Sequence, residues 1–237
     1  MTSKATKTTM FALFFALIGS APAFAQERIR DIHTTVPADQ IRTVVIEANV
    51  GEVRVRGVSD SSVTIDLTLE AKSRFSLWSG RTWGDVNGVE LRTDVRGSEL
   101  RITLRGEREN IEEDWSITVP SRLETKVNAN VGDVEITGVT GGCDAQINVG
   151  GLRIDVPEGS IRAVTNVGDV TVRTSTRSYG DVEVSANVGD ARLVVNGNRI
   201  NSRERRYGPG GRLSVDGSGK DRIDVRASVG DADVSIR

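Results

Sequence analysis

The residues with the clearest capacity for binding chemistry lie in segment 72–88, which reads KSRFSLWSGRTWGDVNG. It holds Phe75, Trp78 and Trp83, three of the six aromatic residues that follow residue 25. Exposed aromatic rings beside arginines can stack on sugars or anchor a protein partner. The same rings could instead fold back over an open end or edge, because terminal repeats need capping. The sequence leaves both interpretations open.

A second candidate binding segment is rich in arginine. Residues 196–212 read NGNRINSRERRYGPGGR, with five arginines against one glutamate. Guanidinium groups pair bidentately with phosphate and carboxylate groups, so this segment could bind a phosphate-bearing or acidic surface glycan. A solvated loop is the alternative. The candidate binding residues here are Arg203, Arg205, Arg206 and Tyr207.

Catalytic residues are not predicted. His33 is the only histidine, so a Ser-His-Asp or Cys-His site would have to recruit the polar segment before the first strand pattern. The one cysteine, Cys143, falls at an inward position and is expected to be a buried thiol. Acidic rows are interleaved with Arg and Lys, which neutralises them as glycoside-cleaving pairs. We therefore predict that the protein is not an enzyme, with polysaccharide cleavage as a remote alternative.

A column of acidic turn residues raises the question of calcium. Calcium needs six to eight oxygen ligands, and the nonapeptide roll G-G-x-G-x-D-x-U-x supplies them in a six-residue turn. Here the apolar strand begins two residues after the glycine, which leaves no room for such a turn. Solvated turn carboxylates are the favoured interpretation over calcium, and no cofactor or metal is predicted. The column reads Asp133, Gly151, Asp169, Asp190, Arg212 and Asp231.

These residues must be positioned by a repeating framework. Between residues 126 and 172 glycines recur every nine residues, and apolar residues alternate after each of them. Strand, turn, strand, turn at a fixed period is typical of a solenoid, in which each coil buries its face by stacking on its neighbours. The glycines are Gly132, Gly141, Gly150, Gly159 and Gly168.

Two nine-residue halves make one coil, and the coils align on an N-V-G turn with spacings of 18–22 residues if Gly211 marks the fifth coil. In this alignment stacked asparagines are expected to hydrogen-bond along a ladder. Equivalent outward residues should also form a row of alternating charge, which stabilises the register. That row reads Lys126, Asp144, Arg162 and Glu183.

The first 25 residues carry the pattern of a secretory signal peptide, with Lys4 and Lys7 before a short apolar run and an A-x-A site before Gln26. The run is too short to span a bilayer, and we expect no transmembrane segment elsewhere. Cleavage leaves 29 basic against 33 acidic residues, a net charge of −4. This balance argues against nucleic-acid binding. The predicted location is the periplasm or the cell surface.

The predicted fold is all-β: a two-sided parallel β-solenoid, or β-helix, of about ten coils with 18–22 residue repeats, right-handed by the crossover rule. The predicted domain organisation is a signal peptide over 1–25, a polar lead-in over 26–40 and a single solenoid domain over 41–237. Coils are irregular over 41–122 and regular over 123–237.

The repeated NVGDV-x-[IV] units, preceded by the strand entry VPSRLETKVNA, resemble the bacterial putative-adhesin family of secreted β-solenoids. The resemblance covers residues 39–237. It implies an envelope or extracellular solenoid of unknown function, and no functional residues come with it.

Together these features predict an exported, non-enzymatic, adhesin-like binding or scaffold protein. It would contact an envelope protein or glycan through the loops that interrupt the solenoid. The alternative is a structural element that self-associates end to end through its last coil, DADVSIR, if that coil has an open edge.

Overall fold

The structure, a computed structural model, describes residues 28–76, 80–200 and 210–237. These residues form 21 β-strands and a short 3-10 turn at Val86–Gly88. In chain order the strands are β1 (Ile29–Pro37), β2 (Thr43–Val50), β3 (Val53–Val58), β4 (Ser62–Ala71), β5 (Ser73–Ser76), β6 (Gly80–Trp83), β7 (Glu90–Arg96), β8 (Glu99–Arg105), β9 (Ile111–Pro120), β10 (Glu124–Val131), β11 (Val134–Thr137), β12 (Cys143–Val149), β13 (Leu152–Val156), β14 (Ile161–Val167), β15 (Val170–Thr174), β16 (Tyr179–Val188), β17 (Ala191–Val195), β18 (Asn198–Ile200), β19 (Gly211–Asp216), β20 (Asp221–Val229) and β21 (Ala232–Ile236).

Two large sheets build the molecule. One has the order β1-β4-β9-β3-β11-β13-β15-β21-β17-β18, and the other has the order β19-β16-β20-β14-β12-β10-β2-β8-β7. The central strands of both sheets are parallel and follow the same coil order, so each coil contributes one strand to each sheet. The two-sided parallel β-solenoid predicted from the sequence is therefore confirmed.

The coils are fewer than predicted, and their spatial order differs from their order in the sequence. Seven two-strand coils stack in parallel within the described residues, against the expected ten or so. The β2/β3 coil lies between β8/β9 and β10/β11. The last coil, β20/β21, lies between β14/β15 and β16/β17. The antiparallel strands β1, β4, β7, β18 and β19 are the remaining strands of the two large sheets, and β5 and β6 form a separate pair.

Three local expectations change accordingly. Residues 29–37, assigned to the polar lead-in, form the edge strand β1 and pair along their whole length with β4. Gly211 does not mark a coil corner, because it begins β19, which runs antiparallel to β16. The last coil has no open edge, because β20 and β21 are hydrogen-bonded on both sides. End-to-end stacking through DADVSIR required an open edge on this coil, and the structure has none there.

The core is the thin space between the two sheets. Alternate residues of each strand point into it, and its side chains are almost entirely Val, Ile, Leu and Ala. Sheets that pack face to face lie about 10 Å apart, which suits these small branched side chains. Among the described residues, Trp115 of β9 is the largest fully buried side chain, and it lies toward the end of the array where β4 and β9 pair.

Glycine corners join the two strands of a coil. At the N-V-G turns the glycine adopts a strongly positive φ, +132° at Gly132 and +138° at Gly150. A Cβ added to Gly150 would lie 1.6 Å from the carbonyl oxygen of Gly132 in the coil below. Both the backbone angle and the close stacking of corners therefore require glycine.

The predicted asparagine ladder is present. Asn130 Nδ2 donates to Asn49 Oδ1 over 3.3 Å, Asn148 to Asn130 over 3.2 Å, and Asn166 to Asn148 over 2.8 Å. The ladder therefore crosses four spatially consecutive coils and ties their corners together.

The charge row is only partly as predicted. Asp144 and Arg162 are neighbours, with Oδ1 and Nη1 3.2 Å apart. Asp224 of the inserted last coil follows Arg162, and Glu183 lies beyond Asp224. Glu183 instead forms an ion pair with Arg212, at 2.7 Å. The alternation breaks because the predicted row assumed that coils stack in sequence order.

Candidate functional site

The aromatic segment forms a hairpin outside both large sheets. β5 and β6 pair only with each other, and Phe75 stands opposite Arg81 across the ribbon. The side chain of Phe75 is 69% exposed, and Arg81 is also exposed. Phe75 therefore does not close an end of the array, which removes the capping interpretation for this residue.

Trp83, at the base of the hairpin, is less available than Phe75. It is half-buried, and the guanidinium of Arg28 lies 4.1 Å from the centre of its ring. This is cation–π geometry, which holds the ring against the body of the protein. Trp78 falls outside the described residues, as do Arg203, Arg205, Arg206 and Tyr207. The structure thus places Phe75 and Trp83 on one hairpin.

Polar contacts fix the base of the hairpin. The Lys72 ammonium bridges Glu70 and Glu112, at 2.8 and 2.5 Å, and hydrogen bonds to Glu112 and then Glu70 hold its pKa above the usual value. Arg74 pairs with Glu109 at 3.0 Å. The N–H of Lys72 also donates to the carbonyl of Asn110 over 2.7 Å. The hairpin therefore rests on the loop of residues 106–110.

The same loop borders a groove on the neighbouring sheet. Strands β2 and β8 stay in register only as far as Ile46 and Ile102 and then diverge. The opening between them has a volume of about 340 Å³. Small-molecule sites usually have volumes of about 300–1,000 Å³. The groove is lined by Glu47, Ala48, Thr103, Leu104, Arg108, Asn128, Ala129 and Asn130.

A buried carboxylate closes the inner side of this gap. Glu113 of β9 is fully buried, and its Oε2 accepts hydrogen bonds from the N–H of Asn49 over 3.0 Å and from Trp115 Nε1 over 3.2 Å. Arg108 Nη1 lies 3.4 Å from its Oε1. The Glu113 carboxylate accepts the backbone hydrogen bond of Asn49 that a neighbouring strand would otherwise accept. The guanidinium of Arg108 compensates its negative charge.

Sequence reasoning missed the groove because three separate segments build it. They meet only through the non-sequential stacking of β8, β2 and β10. A second missed feature had a sequence signal, since the middle residue of each N-V-G turn, and of the S-V-G turn at residues 228–230, is a valine that faces solvent. These valines form a continuous row beside the asparagine ladder. They are Val50, Val131, Val149, Val167, Val229 and Val188, each 37–48% exposed.

His33 lies on a strand rather than in a flexible tail. Its Nδ1 is 2.6 Å from Asp66 Oδ1, and both side chains are exposed. Ser116 follows in the same row, but Asp66 stands between His33 and Ser116. A serine nucleophile needs a direct hydrogen bond to its histidine base. This row has the three residue types of a triad in the wrong order.

Cys143 occupies an inward position, as predicted, and is only 4% exposed. Burial, with a smaller effect from Asp144, raises the pKa of its thiol to about 12. Since the thiolate is the nucleophile, the side chain is chemically inert at neutral pH.

The acidic turn residues are engaged by the backbone. Asp169 Oδ1 accepts the N–H of Asp231 over 2.9 Å, and Asp231 Oδ1 accepts the N–H of Asp190 over 2.8 Å. The inserted last coil thus makes three aspartates consecutive, each used in the stacking of corners. Within the described residues, no group of three or more His, Cys, Asp or Glu side chains is placed to hold a metal ion.

The described part of the chain contains no helix of the length and apolar character needed to cross a bilayer.

Among solved structures, a putative cell adhesion protein from Clostridium sporogenes ATCC 15579 is similar, with a TM-score of 0.55 and 14% identity. The match covers 89% of this chain and 100% of that one. A putative adhesin from Bacteroides fragilis NCTC 9343 has a TM-score of 0.33 and 11% identity, over 86% and 97% of the two chains. The first likeness supports the fold.

No curated protein matches the chain significantly. The model of one protein family, however, matches residues 1–235, almost the entire sequence. It agrees with the resemblance carried by the NVGDV units. The chain belongs to the Toastrack DUF4097 family.

Proposed function

We propose that this protein is an exported, non-enzymatic, adhesin-like binding protein of the bacterial envelope or cell surface. The observation that carries the proposal is the β5–β6 hairpin, which stands outside both sheets and presents Phe75 and Arg81 to solvent. An exposed aromatic ring beside a guanidinium is a typical anchor for a protein or glycan partner. The similar solved structure described as a putative cell adhesion protein supports the same function.

The signal-peptide pattern supports export. Cleavage before Gln26 would leave a mature chain that begins two residues before the first described residue, Arg28. Arg28 covers Trp83, so the start of the mature chain would contribute to the base of the hairpin. The arginines 203, 205 and 206, together with Tyr207, form a second proposed contact, for acidic envelope material.

The test is binding of the mature protein to purified envelopes of the producing bacterium. Phe75→Ala should weaken binding about thirtyfold, since an anchor residue contributes about 2 kcal/mol. Its melting temperature should stay unchanged, because the ring is exposed. Val188→Ala is the matched control, since it removes an exposed apolar side chain on a distant coil. Equal binding by Phe75→Ala and the control would contradict a role for the hairpin.

The arginine segment is tested in the same assay by replacing Arg203, Arg205 and Arg206 together with alanine. Binding to anionic envelope material should be lost, while binding to uncharged material persists. Unchanged binding to anionic material would remove this segment from the site.

A further inference from the structure

The groove between β8, β2 and β10 has the properties of a second ligand site, separate from the hairpin. We propose that it binds a neutral hexose unit of a glycan chain. The proposal rests on the proposed function, because it names the chemical class that the binding surface recognises.

Charge balance in the groove favours a neutral ligand. The carboxylate of Glu47 is paired with Arg101, at 2.5 Å, and the guanidinium of Arg108 is paired with the buried Glu113. Each charge that faces the groove is therefore compensated by a protein partner. An added phosphate or carboxylate would compete with Glu113 for Arg108 and would lie near Glu47, where like charges repel.

The polar groups left over are those that bind hydroxyls. Among the described residues, the hydroxyl of Thr103 and the carboxamide of Asn128 make no hydrogen bond within the protein, although both line the groove. Asn128 lies directly opposite Glu47 on the neighbouring strand. A carboxamide both donates and accepts, and a carboxylate accepts, which suits the adjacent hydroxyls of a sugar ring.

The floor of the groove is main chain rather than apolar side chains. Ala48 and Ala129 follow the outward Glu47 and Asn128 on adjacent strands, so their side chains pack against the core, as does that of Leu104. The groove would therefore recognise a sugar through its hydroxyls rather than through the C–H face of the ring.

The position of the groove explains how a chain could be held. Arg108, which lines the groove, and Glu109, which anchors the hairpin through Arg74, are consecutive in the loop of residues 106–110. The exposed aromatic ribbon and the groove thus share one support. A glycan bound with one unit in the groove could extend toward the hairpin.

The experiment uses the mature protein and purified polysaccharides: amylose, mannan and galactan as neutral probes, and polygalacturonate as the acidic one. Retention is measured by affinity electrophoresis, followed by calorimetric titration with an oligosaccharide of any retained polymer. At least one neutral polymer should retain the protein. The double variant Thr103→Val, Asn128→Ala should lose about tenfold in affinity, because it removes two hydrogen-bonding groups.

Gln146→Ala is the matched control, since Gln146 is the carboxamide next to Asn128 in the same outward row, one strand farther from the groove. It should bind like the wild type, and all variants should keep the wild-type melting temperature. Failure of every neutral polymer to retain the protein would overturn the inference, as would equal affinity of the double variant. A double variant that weakens only polygalacturonate binding would also overturn it.

Failure of this inference can be distinguished from failure of the proposed function. If envelope binding depends on Phe75 while no neutral polymer is retained, the groove inference fails and the proposed function stands. If neutral polymers are retained and the double variant loses affinity, the inference holds whichever envelope component is bound.

Discussion

At the scale of single residues, the thin core determines chemistry as well as packing. Cys143 is surrounded by apolar side chains of both sheets, where a negative charge would lose its hydration. Its thiol therefore stays protonated well above neutral pH, with a pKa raised to about 12. The same core forces the carboxylate of Glu113 to take three polar partners. The buried thiol is thus neutral, and the buried carboxylate is fully engaged.

The thiol should be protected in the native protein. At pH 8 a maleimide should leave Cys143 unlabelled in buffer and label it fully in denaturant, because only the thiolate reacts. Mass spectrometry measures the extent of labelling. Rapid labelling of the folded protein would contradict the burial of this side chain.

The raised pKa also predicts a pH dependence of stability. Above about pH 9 the unfolded thiol loses its proton while the folded one keeps it, so the unfolded state binds fewer protons and stability falls as the pH rises toward 12. Unfolding in urea should show that the stability difference between the wild type and Cys143→Ala shrinks across this range. The comparison with Cys143→Ala isolates the contribution of the thiol to the pH dependence of stability from that of other groups that titrate in the same pH range.

At the scale of elements, the corner is the unit on which stacking depends. We expect Gly150→Ala to destabilise the protein by about 3 kcal/mol or more, because it combines an unfavourable positive φ with a clash against the backbone of the neighbouring corner. Gly97→Ala is the control. Gly97 has a φ of +61° and open space around it, so only the conformational cost of about 1–2 kcal/mol applies. Equal losses in denaturant unfolding would show that corners do not stack closely.

An element could be predicted when the residues that specify it lie close together in the sequence. Corners and strands from β10 to β15 could be read from the sequence because turn glycine, asparagine and alternating apolar residues lie within one short period. Their coils also stack in sequence order. The exposure of Phe75 and the position of the groove could not be read in this way. The groove depends on which distant strands become neighbours, and the strand patterns are too alike to specify that. The exposure of Phe75 depends on the β5–β6 hairpin joining neither large sheet, for which the sequence carries no local signal.

At the scale of the whole molecule, both the β2/β3 coil and the last coil lie inside the array. The pattern of β20 and β21 matches that of other coils, so the sequence alone would allow it to extend the free end. In the structure it supplies the contact between β14/β15 and β16/β17. The C-terminal segment therefore joins two parts of the molecule.

This arrangement predicts that deletion of residues 218–237 should unfold far more than one coil. The deletion removes four fully buried Val and Ile side chains, worth about 6–12 kcal/mol at about 1.5–3 kcal/mol each. They are Ile223, Val225, Val234 and Ile236. This amount is comparable with the whole stability of a typical domain, about 5–15 kcal/mol. It would also leave the facing edges of β14/β15 and β16/β17 without partners.

Circular dichroism and hydrogen exchange of the truncated protein measure the extent of the loss, and protection should disappear from β16 and β17 as well as from the deleted strands. A variant without residues 26–37 is the control, because β1 is an edge strand that pairs with β4. Its removal should affect that edge and the base of the hairpin, where Arg28 contacts Trp83, but not β16 or β17. If the coils stacked in sequence order, the C-terminal deletion would remove only the terminal coil of the array and leave β16 and β17 protected. Retained protection in β16 and β17 would therefore show that the last coil lies at the end of the array rather than inside it.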